Sequence, residues 1–363
     1  MFIAYAFFSL LMTVYSYVLV DLNFTLFNSP WWESFRSYVI QIGYYQRDLS
    51  AIIYSLFVLI FFGLHLYAIK REKKINVMHL ALLIGSIFLF SYPLLSHDFF
   101  NYLFDAKIVT FYHQNPYLNA ALNFPSDPWL RFMHWTHRTY PYGPVFLLIT
   151  LIPSLLSFGK LLFSFFLFKA TWIIFYLFAV YFLEKLNRRW ALIFATHPLV
   201  LIEGLINSHN DFIGLSLVFI GYYFLVNKKQ LWGRVVLLIS MGIKYITAPF
   251  ILISQRKKSA MNLLTLGLTL LILIYFSFFQ EIQPWYFLVL LGFIPLYEKL
   301  VQRLGIFFAG LLFSYYPYLA NGEWTQSQNI TLKHNIILTF FIACLLYNVL
   351  FHDWIYKKIF SKA

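Results

Sequence analysis

Twelve apolar stretches, at 2–20, 50–69, 77–95, 143–158, 161–183, 190–206, 211–226, 235–254, 260–279, 285–297, 303–320 and 330–350, leave this chain one environment in which to fold. A helix that crosses a bilayer needs ~20 mainly apolar residues, within a range of roughly 17–25. Several of the stretches reach that length and a few fall short of it. The remainder cannot clothe a water-soluble body, because only 11% of the 363 residues are charged, against ~25% in soluble domains. The expected fold is an all-α polytopic membrane protein, a bundle of about 10–12 hydrophobic helices, some of them short or re-entrant. A single transmembrane domain over 1–363 is expected, since no linker, repeat or soluble appendage interrupts it.

The net charge of +13 would suggest nucleic acid in a soluble protein. Here the basic residues sit at the ends of apolar stretches, as the inside-positive bias and attraction to anionic headgroups require. Membrane lipids are therefore expected partners, and nucleic acid is not. Lys70-Arg71-Glu72-Lys73-Lys74, Arg188-Arg189, Lys228-Lys229, Arg256-Lys257-Lys258, Lys299 with Arg303, and Lys357-Lys358 are assigned to the cytoplasmic side of a plasma membrane. Segment 77–95 then runs outward as a span and delivers Asp98 to the external face.

Simple alternation fails twice. If 143–158 crossed fully, Arg188-Arg189 would fall outside; if 235–254 did, the basic groups on its two sides would be separated. Making both segments incomplete or re-entrant removes the conflict, and Pro153 and Gly159 in one, Gly242, Lys244 and Pro249 in the other, suit such breaks. Irregular backbone at membrane depth is tolerated where it lines a cavity. With that repair Asp98, His209, Asp211 and Trp285 all face outward.

The longest polar interruption, 93–144, is too aromatic to be disordered and too long to be a plain connection. It holds an external loop at 96–142 with interfacial helices. A helix is expected over 98–110, where Asp98, Asn101-Tyr102 and Asp105 recur at spacings of three, four and seven and share a face. Asp98 could serve there as a base, or only as a first-turn acid. Lys107 could satisfy Asp105 or bind an anion, and Arg138 and Arg131 could do the latter. The spacing of His134 and His137 allows a metal, but no third ligand is identified. Asn115-Pro116-Tyr117 and Tyr140-Pro141-Tyr142-Gly143-Pro144 are rigid turns whose rings could stack on a sugar. His209-Asn210-Asp211 and Lys244 are ionisable groups in apolar surroundings, which makes each a functional candidate. Cys344 is the sole cysteine, so an intrachain disulfide and a cysteine metal cluster are excluded.

In this order these residues resemble the lipid-phosphate-sugar-dependent glycosyltransferases of the C superfamily. The likeness is greatest to polyprenyl-phosphate-mannose-dependent mannosyltransferases of bacteria and to the catalytic subunit that adds the first mannose to GPI-anchor precursors. Ser96-His97-Asp98 with Tyr102, then Asn115-Pro116-Tyr117, Tyr140-Pro141-Tyr142-Gly143-Pro144, His209-Asn210-Asp211, Lys244 and Gln283-Pro284-Trp285-Tyr286 match its pattern over 96–286. Where the family often has Gly-Arg, this chain has Asp105-Ala106-Lys107, and two extra hydrophobic segments precede the catalytic loop.

The resemblance implies transfer of a mannose-like hexose from a polyprenyl-phosphate-linked donor to a lipid or glycan acceptor at the external face, with inversion. It makes Asp98 the general base. It assigns Lys107, Arg138 and Lys244 to the donor phosphate, and Tyr102, Asp105, Tyr117, Tyr140, Tyr142, His209, Asp211 and Trp285 to the sugar or acceptor. No protein metal site is assigned, and a bound Mg or Mn ion would be an alternative countercharge. The competing readings are a lipid-linked-sugar flippase or transporter and a polyprenyl-pyrophosphate glycan ligase or polymerase.

Overall fold

The computed structural model describes residues 1–256 and 258–350; Lys257 and Lys357-Lys358, assigned to the cytoplasm above, lie outside the described residues. Among those residues every regular element is helical. Six helices are long and apolar enough to cross a membrane: Phe2–Leu19, Arg47–Lys70, Leu161–Leu186, Ala260–Phe279, Pro284–Arg303 and Ser327–Leu350. A seventh span results if Arg188–Thr196 and Val200–Ile206, bent by 69° at the break, count as one. Val77–Phe88, Pro144–Leu156, Asn210–Val226 and Gln230–Met241 are shorter apolar helices. This is the all-α, multi-pass bundle that the apolar pattern requires, and it fits the C-superfamily build that the resemblance implies.

One basic face is tied together directly. Arg189 reaches Glu72 at 2.5 Å and Glu298 at 2.7 Å, and Arg188 donates to the Ile75 carbonyl. Three clusters distant in sequence therefore share an end of the bundle, as the charge pattern predicts.

Both short segments behave as the charge conflict requires. Pro144–Leu156 has 13 residues, about 20 Å of helix, against a hydrocarbon core of ~30 Å. It does not cross, and it packs along Asp98–Thr110, with Thr110 Oγ1 and Ser154 Oγ 2.7 Å apart. Gln230–Met241 runs inward, turns at Gly242-Ile243-Lys244, and returns as the 3-10 run Tyr245–Leu252. Arg234 on the first limb donates to the carbonyls of Ile251 and Ile253 on the second, so both limbs end on the same side. The segment is a re-entrant hairpin with Lys244 at its tip.

The stretch before Asp98 differs from expectation. Helix covers only Val77–Phe88; Pro93 lacks an amide proton and restricts Tyr92. The chain from 91 to 95 is buried and non-helical, held where Tyr92 N–H donates to Ser16 Oγ (2.8 Å) and Leu95 N–H to Asn207 Oδ1 (3.0 Å). Asp98 is thus carried by a pinned irregular segment and not by the end of a span.

Helix Asp98–Thr110 coincides with its expected bounds. Phe99 and Phe100 pack on Phe165, with centroids 5.4 and 6.3 Å away, and Phe132 stacks on Phe100 at 5.8 Å. The 96–142 loop is therefore rooted in the aromatic core of the bundle. Burial of such rings is what orders it, since each removes ~150–250 Å² from solvent.

Candidate active site

A cavity of about 380 Å³ opens where the Asp98 helix, the 140–143 turn, the hairpin tip and residues 276–286 meet. Of the residues singled out above, Asp98, Arg138, Tyr142, Lys244 and Trp285 line it. Trp135, Gln280, Glu281, Gln283 and Tyr286 add to the wall.

The meeting of loop and hairpin depends on two glycines. Gly143 N–H donates to the Ile243 carbonyl and Val145 N–H to that of Gly242, both at 3.2 Å. A Cβ on Gly143 would sit 2.0 Å from the Gly242 oxygen, so no other residue allows this approach. It brings Lys244 from a hairpin rooted on the basic face up to the cavity.

Asp98 lies in the first turn of its helix, whose N-cap is His97, and its side chain is 18% exposed. Among the described residues no lysine or arginine forms an ion pair with it. Arg138 lies over the Trp135 indole at 4.2 Å. Lys244 meets Asp211 at 2.6 Å, and Asp211 Oδ1 has no partner among the described residues. Asp98 thus opens into a cavity that also receives the Lys244 ammonium, the Arg138 guanidinium and the Glu281 carboxylate.

The other candidates stand behind this wall. Tyr102 stacks against Trp172 and meets Tyr142 edge-on. Tyr117 donates its hydroxyl to the Tyr142 carbonyl (3.2 Å), and Tyr140 N–H bonds the Pro116 carbonyl (2.9 Å), so both hold the turn in shape. Asp105 is buried; desolvation pushes its carboxyl up to about 8, against the pull of Arg138 and with the push of Asp98. His209 and Asp211 are also buried, behind Trp285 and Lys244 respectively. Lys107 does not come to the cavity. Its ammonium is spent on Asp127 at 2.5 Å and lies over Trp129 at 3.9 Å.

Three charged residues of this region are not among the sequence candidates. Lys169 donates to the carbonyls of Leu205 (2.6 Å) and Ile206 (2.9 Å) and to Ser208 Oγ (3.2 Å). It holds the end of the π-helical run Val200–Ile206, just before Ser208 at φ 58°. A lone lysine inside an apolar helix is itself a functional signal. Glu203, fully buried, lies 3.4 Å from His209 Nε2. Glu281 lines the cavity, bound by Lys333 at 2.9 Å and His334 at 3.3 Å. Among the described residues no three His, Cys, Asp or Glu side chains form a metal-binding group.

A helical bundle of this kind, with an aromatic-rooted loop that sets a carboxylate beside two cations, has the build of a membrane-embedded glycosyltransferase. Residues 49–257, more than half of the chain, match the family model described as Alpha-(1->6)-mannopyranosyltransferase, N-terminal domain, and the chain belongs to that family. No curated protein and no solved structure matches it. The matched region contains Asp98, Arg138, Tyr142 and Lys244, and stops short of Glu281 and Trp285.

Proposed function

We propose that this protein transfers a mannose-like hexose from a polyprenyl-phosphate-linked donor to a lipid or glycan acceptor, with inversion, and that Asp98 is the general base. The observation that carries the reading is the convergence of Asp98, Arg138 and Lys244 on one cavity. A glycosidase needs a second carboxyl group to protonate its leaving group. A phosphate leaves as a stabilised anion, so one base on the acceptor hydroxyl suffices and the remaining need is countercharge. Arg138 and Lys244 supply it, Lys244 by exchanging Asp211 for phosphate. Glu281, the other lining carboxylate, is already engaged by Lys333 and His334. Lys107 has no part in this reading, and the sugar-binding roles pass to Tyr142 and Trp285. The cavity lies at the end of the bundle opposite the Glu72–Arg189–Glu298 cluster, which supports an external active site.

The test is Asp98→Asn, assayed by acceptor-dependent release of polyprenyl phosphate from a radiolabelled polyprenyl-phosphate-mannose donor. The variant keeps size but cannot take a proton at neutral pH. Turnover is expected to fall ~10²–10⁴-fold with donor binding retained. Turnover within tenfold of wild type at equal folded protein would sink the mechanism. Protected movement of sugar without bond cleavage would instead identify a transporter, and reaction only with a pyrophosphate-linked donor a ligase or polymerase.

A further inference from the structure

His209 is fully buried and lies flat on the Trp285 indole, centroids 3.9 Å apart and planes at 15°. It is held between two carboxylates. Its Nε2 faces Glu203 Oε2 at 3.4 Å and its Nδ1 faces Asp98 Oδ2 at 3.9 Å. The backbone at this point is unusual for a transmembrane segment. Val200–Ile206 is π-helical, a rare form frequent at functional sites, and Ser208 has φ 58°, a conformation a non-glycine residue adopts at a cost. Four contacts hold that conformation: Lys169 on the carbonyls of Leu205 and Ile206, Trp172 Nε1 on the His209 carbonyl (3.0 Å), Asn207 Nδ2 on Glu203 (3.0 Å), and Leu95 N–H on Asn207. The last of these ties the same turn to the segment that carries Asp98.

A fully buried carboxylate pays a desolvation penalty that only close partners offset. The groups that face Glu203 are His209, the Asn207 amide, the phenols of Tyr54 and Tyr315, and, further off, Lys333. Of these His209 also faces Asp98, across 3.9 Å.

We propose that Glu203 is a positioning residue for catalysis, acting through His209 on Asp98. This rests on Asp98 being the base. Among the described residues neither ring nitrogen of His209 has a hydrogen-bond partner; a small reorientation of the ring lets Glu203 accept from Nε2–H and so fix the tautomer whose Nδ1 lone pair faces Asp98. As the acceptor O–H bond breaks, its proton passes to Asp98, the oxygen bonds the anomeric carbon, and the bond to phosphate breaks. The proton moves from Asp98 to His209 Nδ1, giving an imidazolium between two carboxylates, and returns through Asp98 to the departing phosphate or to solvent in the open cavity, so that His209 is neutral and Asp98 ionised once more.

The experiment compares Glu203→Gln, Glu203→Asp, His209→Gln, the Glu203→Gln/His209→Gln double variant and Asp98→Asn, with donor KM and kcat measured on monodisperse protein. Glu203→Gln should lower kcat roughly 10–100-fold at unchanged donor KM, Glu203→Asp should recover part of the loss, and the double variant should be no slower than His209→Gln alone. Independent, multiplying losses in the double variant, or a rise in KM without a change in kcat, would overturn the proposal. If Glu203→Gln does not fold, His209→Gln decides alone: reduced kcat at constant KM supports the relay, and wild-type kcat overturns it. An active Asp98→Asn would remove the underlying base assignment, whereas an inactive Asp98→Asn beside near-wild-type Glu203→Gln and His209→Gln would remove the relay only.

Discussion

Lys107 and Asp127 meet at 2.5 Å, Lys244 and Asp211 at 2.6 Å, yet the two pairs have different surroundings. In the first the side chains are 6% and 1% exposed, and Asp127 also accepts from Trp129 N–H (2.8 Å) and Tyr112 Oη (2.7 Å). In the second the lysine is 21% exposed, it borders the cavity, and one aspartate oxygen is unpartnered among the described residues. The first pair is saturated and holds the loop to itself. The second has an open side, and an open side is what an anion needs. An ion pair's length says nothing of its use; what decides is whether a ligand can reach it.

The largest expected effect breaks the sealed pair. Lys107→Ala strands Asp127 in the interior and should cost ~3–5 kcal/mol of stability, the range for unpairing a buried charge. Denaturation in detergent measures this, and turnover per folded molecule should hold. Lost turnover with intact stability would return Lys107 to the phosphate-binding set. Lys244→Ala should do the reverse. It removes charge compensation worth ~1.5–3 kcal/mol, so donor KM rises, kcat falls, and kcat/KM drops roughly tenfold to a hundredfold or more. Unchanged kcat/KM in folded protein would make the open pair a structural one.

The smallest effect concerns Asp105, which burial leaves neutral. Its carboxyl stands at about 8 in the fold against 3.8 for the ordinary group. Between these values the unfolded chain has lost a proton that the folded one keeps, so stability falls as pH rises, by ~1.4 kcal/mol per pH unit at most. It levels off above the folded value. Asp105→Asn imitates the neutral acid. It should flatten the fall in melting temperature between pH 6 and 8 and cost far less turnover than Asp98→Asn. An unaltered pH slope would show Asp105 ionised in the fold.

Much of the bundle was legible because a bilayer accepts few solutions. The conflict between Lys228-Lys229 and Arg256 forced 235–254 to return to its starting side, and Arg234 now closes that hairpin. The break beside Gly242 placed Lys244 at the tip for the same reason. Lys107 was misplaced because nothing local reveals that the chain folds back twenty residues later to present Asp127. Lys169 was passed over inside a strongly apolar helix, although a cation there has to find acceptors. Glu203 was not among the candidates, because a π-helical run cannot be read from helical spacing. The expected span at 77–95 ignored Pro93, whose missing donor ends the helix early.

The cavity wall has one further consequence. Asp98, Arg138, Tyr142 and Lys244 fall inside the family-matched 49–257, while Phe276, Glu281, Trp285 and Tyr286 come after it. The cavity is thus lined from two lengths of chain that meet only in the folded bundle, the family-matched one carrying the proposed base and its two cations. Replacing 276–286 would exchange one wall while leaving the proposed base and its two cations in place, so on that reading substrate preference could change without altering the residues proposed for the chemistry.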